Sequence, residues 1–75
     1  MALIKDMKVI PVTVRVYDVH GALVRELLQR PLGPGRHGVE WDGRAASGQP
    51  VGSGIYYIQA LAGEKKVVMR TAIVR

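Results

Sequence analysis

An all-β fold, a small antiparallel sandwich of about six to seven strands, is predicted by three observations. Val12-Thr13-Val14-Arg15-Val16-Tyr17 alternates strictly. Val12, Val14 and Val16 point one way and Thr13, Arg15 and Tyr17 the other, the period of two that marks a half-buried strand. Short apolar runs then recur between turn signals at 18–21, 31–35, 42–53 and 62–65, and short strands of this kind build sandwiches. Finally, the chain has no phenylalanine and no long helical periodicity, so its apolar content is mainly Val, Leu and Ile. Those residues fit a pleated, half-buried surface.

Seventy-five residues allow one domain, 1–75. A chain this short buries only ~60% of its unfolded surface. With no cysteine it has no disulfide to brace it, and no dense Cys/His cluster provides a structural zinc. Stability must come from the 48% of residues that are hydrophobic, with packing against a neighbour as a further source. The formal net charge is +5. The eleven basic residues are scattered, and only Lys65 and Lys66 are adjacent, at an expected turn. They read as solvated strand faces and guards against edge pairing rather than a nucleic-acid site. No stretch is long and apolar enough to span a bilayer. The start, Met1-Ala2-Leu3-Ile4-Lys5-Asp6, is interrupted by charge and does not read as a signal peptide. An extracellular or cell-surface location therefore depends on an exported parent protein.

The first hairpin follows from Asp18-Val19-His20-Gly21. Asp accepts hydrogen bonds from the backbone two residues on, and Gly21 tolerates a positive φ. Ala22 to Leu28 returns as the partner strand. Its facing stays open: Leu23 and Leu27 flank Arg25 on one side, Val24 and Leu28 flank Glu26 on the other. Pro31-Leu32-Gly33-Pro34-Gly35 is a loop by composition. His37, Val39 and Trp41 alternate with Gly38 and Glu40 and predict another strand. A long connection, Asp42 to Ser53, holds Gly43, Gly48 and Gly52, and a positive φ is expected at Gly43 or Gly48. Gly54 to Leu61 is apolar on both faces, with Ile55 and Tyr57 against Tyr56 and Ile58, and is expected centrally in a sheet. After the turn 62–65, Val67, Met69 and Ile73 mark a last strand. Residues 1–10 are apolar at Leu3, Ile4, Met7, Val9 and Ile10, but the phase breaks near Pro11. They form an N-terminal strand closing the sandwich in its own chain, or a donor segment that fills a neighbour's edge and makes a homo-oligomer.

Reactive chemistry finds little foothold. Asp18 and Asp42 are the only carboxylates at loop ends, and each is most simply a former of its turn. His20 and His37 have no metal-ligand spacing. Asp42-Gly43 is followed by Arg44, Ala45 and Ala46, which lack the oxygens of a calcium loop. Ser47 and Ser53 lie outside any nucleophile elbow. No catalytic, cofactor-binding or metal residue is assigned, and no cofactor is expected. Trp41 reads as the core plug of a phenylalanine-free sandwich, with a stacking platform for a sugar as the alternative. Tyr56 and Tyr57 point to opposite faces, one toward the core and one toward the surface.

Several spaced elements carry a resemblance. Val14-Arg15-Val16-Tyr17-Asp18 with Gly21 is one. Trp41-Asp42-Gly43-Arg44, Ser47-Gly48-Gln49-Pro50-Val51 and Ser53-Gly54-Ile55-Tyr56-Tyr57 are the others. In this order they resemble the Ig-like domain of the flagellar hook-capping (FlgD-type) family, over roughly residues 12–75. The resemblance implies an Ig-like sandwich in which Val14, Val16, Asp18, Gly21, Trp41, Asp42, Gly43, Gly48, Gly54, Tyr56 and Tyr57 are structural. It also implies a non-enzymatic assembly role outside the cytoplasm, as in the hook cap or in modules at the C-termini of large secreted bacterial proteins. Partners would be parent-chain domains or like subunits, not nucleic acid. Family members usually carry a further strand, introduced by a proline-rich segment, before the Val-x-Val-Tyr-Asp element. Only residues 1–10 stand there, so the core 11–75 is expected to be a minimal sandwich or one lacking a strand. A self-assembling subunit and a binder of carbohydrate or surface polymer are the rival readings.

Overall fold

The computed structural model describes residues 2–4 and 9–75, and it is all-β. In chain order the strands are β1 Ala2–Ile4, β2 Ile10–Tyr17, β3 Leu23–Leu32, β4 Gly35–His37, β5 Gly54–Ala62 and β6 Lys65–Ile73. Four of them form one antiparallel sheet in the order β3-β2-β5-β6, and β1 pairs with β4 in a two-stranded ribbon. The result is a small Ig-like sandwich in reduced form. It is 41 Å long and only 19 × 18 Å across, so its core is thin.

That core follows from the alternation in β2. Val12, Val14 and Val16 are 2%, 5% and 0% exposed, and Leu32 of β3 joins them. The register puts Ala62, Ala60 and Ile58 of β5 beside these three valines, while Ile10, Leu27 and Leu28 pack around the cluster. On the opposite face Thr13, Arg15 and Tyr17 stand beside Leu61, Gln59 and Tyr57. β5 lies between β2 and β6, the central place expected for it.

The open facing of β3 is resolved by two bulges. The pairing steps from Val14↔Leu28 to Arg15↔Glu26, leaving Leu27 as the extra residue, and from Val16↔Arg25 to Tyr17↔Leu23, leaving Val24. An extra residue flips the alternation, so Leu27 and Leu28 both reach the core. Glu26 faces Arg15 and forms an ion pair with it at 3.1 Å. The Arg15 guanidinium, held by Tyr17 and then Glu26, has its pKa raised above its ordinary value.

Both hairpin turns are set by their residues. In the first, the Asp18 carboxylate accepts from the amides of His20 (2.9 Å) and Ala22 (3.0 Å), and Gly21 has φ 82°. With Asp18 and Ala22 pairing across three loop residues, this is a turn closed by a bulge at the glycine. The last hairpin has a two-residue loop, Gly63-Glu64, between Ala62 and Lys65.

Four expectations are corrected. β3 runs on through Pro31 to Leu32, because an edge strand tolerates a residue without an amide proton. Only Gly33 and Pro34 then separate it from β4. The strand expected over 37–41 stops at His37, and among the described residues Gly38 to Trp41 have no ladder partner. The last strand starts at Lys65, not Val67, since the two-residue turn brings the ladder to its edge. Trp41 lies outside the buried core and is half-buried, packed against Tyr56 at the loop. For residues 1–10, residues 2–4 pair inside the same chain, in register Ala2↔His37 to Ile4↔Gly35. Residues 1 and 5–8 lie outside the described residues.

Candidate functional site

The connection from β4 to β5 gathers most of the distinctive residues. At its centre is a miniature hairpin. Arg44 bridges Pro50, the Ala45 amide donates to the Gln49 carbonyl at 2.9 Å, and the Gly48 amide donates to the Ala45 carbonyl at 2.9 Å. Gly48 has φ 89°, so this tip repeats the design of the Asp18–Ala22 turn. Gly43 has φ 76°, and both glycines thus adopt the expected left-handed conformation.

Side chains then fasten the loop to the sheet. One Asp42 carboxylate oxygen accepts from the Arg44 amide and from the Arg25 guanidinium, both at 3.0 Å. The Trp41 indole packs edge-on against Tyr56, ring centroids 5.3 Å apart, and its N–H donates to the Arg44 carbonyl at 2.8 Å. The Tyr56 hydroxyl donates to the Gly52 carbonyl at 2.8 Å. Arg75 closes the arrangement. Its guanidinium donates to the carbonyls of Val51 (2.6 Å) and Gly43 (3.0 Å), and its amide donates to the Ser53 hydroxyl (2.9 Å).

The structure therefore brings Trp41, Asp42, Gly43, Gly48 and Tyr56 into one assembly. Gly54 begins β5 beneath it, and the Tyr56 ring is 3.8 Å from where a Cβ on Gly54 would sit. Val14 and Val16 belong to the core face. Asp18 and Gly21 build the β2–β3 turn, and Tyr57 sits on the opposite face beside Tyr17 and Arg70. Arg25 and Arg75 were not singled out in the sequence. Arg75 acts across 32 positions from Gly43, and no local pattern signals a contact that distant.

Arg25, Glu40, Trp41 and Asp42 line a cleft of about 230 Å³. An aromatic ring beside carboxylates and a guanidinium is chemistry suited to a sugar. Here, however, the Trp41 N–H, the shared Asp42 oxygen and Arg25 are already engaged with the protein. Among the described residues no three His, Asp or Glu side chains converge, and no buried side-chain polar atom lacks a partner.

Gly43 gives the assembly a direct test. A Cβ there would lie 3.1 Å from the Arg75 guanidinium, on a backbone at φ 76°. Gly43→Val should destabilise the fold by about 2 kcal/mol, from left-handed strain on a β-branched residue and displacement of Arg75. Gly33→Val, with ordinary φ and open space around it, should cost far less. Urea midpoints of the two variants check this; equal midpoints would remove the clamp from the account.

A model of the FlgD Ig-like domain matches residues 5–66. No curated protein and no solved structure matches the chain. Among the described residues no helix is long and apolar enough to cross a membrane.

Proposed function

The chain belongs to the FlgD Ig-like domain family, and on that premise we propose that it is a non-catalytic structural and assembly module of an extracellular or cell-surface bacterial protein. The family match carries the reading. It is supported by the use made of the loop's polar groups: Asp42, Trp41, Tyr56, Arg44 and Arg75 all bind the chain's own backbone or side chains. Such a loop is rigid and presents a shape, with little left over to activate a substrate. FlgD-type domains occur in flagellar and exported proteins, and this domain would serve such a parent as a spacer or docking element. The test is location. An epitope tag on the parent should be digested by proteinase K added to intact cells, or should appear in the medium. A tag protected until the cells are lysed would overturn the reading.

The cleft at Trp41 favours a second reading, a module that binds carbohydrate or surface polymer. Trp41 is the only tryptophan, so its fluorescence reports on the cleft alone. A saturable change on titrating cell-surface polysaccharide would support this reading, and constant emission would remove it.

A further inference from the structure

The sheet has two edges, and they are treated differently. β3 is blunted. It carries two bulges and Pro31, its Glu26 and Arg25 are engaged in the pairs Arg15–Glu26 and Arg25–Asp42, and the Val24 carbonyl accepts from the Ala46 amide of the loop at 3.2 Å. These are the devices by which sheets discourage edge pairing. β6 lacks the bulges, the proline and, among the described residues, the loop contact; it keeps only basic side chains, which bar a like-charged strand but not an acidic one. Its nine pairs with β5 run without a register shift from Lys65 to Ile73. It contains no proline or glycine, and among the described residues no strand pairs its outer side.

The composition of β6 adds to this. Residues 65–70 are all exposed, including Val67 (57%), Val68 (51%) and Met69 (54%). The two-residue turn makes Ala62 and Lys65 a hydrogen-bonded pair. In an antiparallel ladder the bonding direction alternates, so the backbone groups of Lys66, Val68, Arg70 and Ala72 point outward. The strand carries Lys65, Lys66 and Arg70 and no acid.

We propose that β6 is an interface that accepts one extended segment of another polypeptide as a fifth strand, and that this segment reads acid–apolar–apolar–apolar–acid. Its acids stand opposite Lys66 and Arg70, and its three apolar residues stand opposite Val67, Val68 and Met69. Backbone bonds to the outward row provide the pairing, and the alternate side chains provide selectivity. A second copy of this chain fits the edge less well. Antiparallel self-pairing through the outward row, centred on Val68, sets Lys66 directly against Arg70, and centring on Met69 leaves that pair diagonal. Like charges so placed repel. The proposal goes beyond the structural role above and holds whatever the parent protein is.

The test uses the 75-residue chain and a fluorescein-labelled peptide with a Glu-Val-Val-Val-Glu core. Saturable anisotropy is expected, with amide shifts in nitrogen–proton NMR spectra concentrated at residues 66–72. The double variant Lys66→Glu, Arg70→Glu should bind roughly tenfold more weakly, two reversed cross-strand pairs together, and a Lys-Val-Val-Val-Lys peptide should restore binding to it. Both positions are exposed, so the variant should fold as the parent does. Val68→Pro should abolish binding while leaving the β5 pairing intact, since the amide it removes points outward. Absence of saturable binding, shifts centred on β3 or the Trp41 cleft, or a chain that is already a dimer through β6 and does not yield to the peptide would each overturn the proposal.

Discussion

Val14→Asp is expected to leave the chain without a cooperative unfolding transition at 25 °C. Val14 is 5% exposed, with Leu28 directly opposite on β3 and Ala60 on β5. A carboxylate there has no cation within the ladder to meet it. It must either ionise in an apolar layer or take up a proton and bury an unpaired acid. Either course costs about 4 kcal/mol or more, comparable to the whole stability of a small domain. Val14→Ala, which removes two methyl groups without adding charge, should stay folded and lose about 2 kcal/mol. Circular dichroism and urea titration of the pair separate these outcomes. A Val14→Asp chain that melts like the parent would mean that the core does not lie between β2 and its neighbours.

Trp41→Ala is expected to lose about 2–3 kcal/mol. Full burial of the indole would have implied a larger loss, about 3–5 kcal/mol. The half-buried ring instead contributes an edge-on aromatic pair with Tyr56, about 1 kcal/mol. Its hydrogen bond to the Arg44 carbonyl adds about 1 kcal/mol, and partial burial supplies the remainder. Trp41→Phe keeps a ring against Tyr56 and loses the donor, so it should cost about 1 kcal/mol. Urea titration measures both, and proteolysis of native chains should show cleavage near 44–48 in Trp41→Ala alone. If Trp41→Phe proves as costly as Trp41→Ala, the N–H and not the ring holds the loop.

Much of this architecture is legible along the chain because its causes are local. The alternation of 12–17 identifies the buried face of β2 without reference to any other strand. Asp18 with Gly21, and Gly43 with Gly48, announce turns through the conformations that those residues accept. The apolar residues on both faces of 54–61 announce a strand with neighbours on each side. The same reasoning fails over 37–41, where alternation of His37, Val39 and Trp41 imitates a strand. Alternation says only that side chains point to opposite sides; it does not provide a ladder partner, and from Gly38 to Trp41 none is present among the described residues.

The sequence by itself determined the all-β class, the family, the identity of the β2 core and the chemistry of the turns. Each is written in residue type and short-range spacing. Only the tertiary structure decided the rest. Bulges at Val24 and Leu27 turned an undecided β3 toward the core, because bulges belong to a pair of strands and not to one. Arg25 and Arg75 became fasteners of a loop 17 to 32 positions away, at separations that no sequence pattern encodes. Trp41 became a half-buried brace because Tyr56 and the Arg44 carbonyl, the one distant and the other out of phase along the chain, hold it at the loop. β6 became an open edge because the order of strands in a sheet, not the composition of any one of them, decides which backbone is left unpaired.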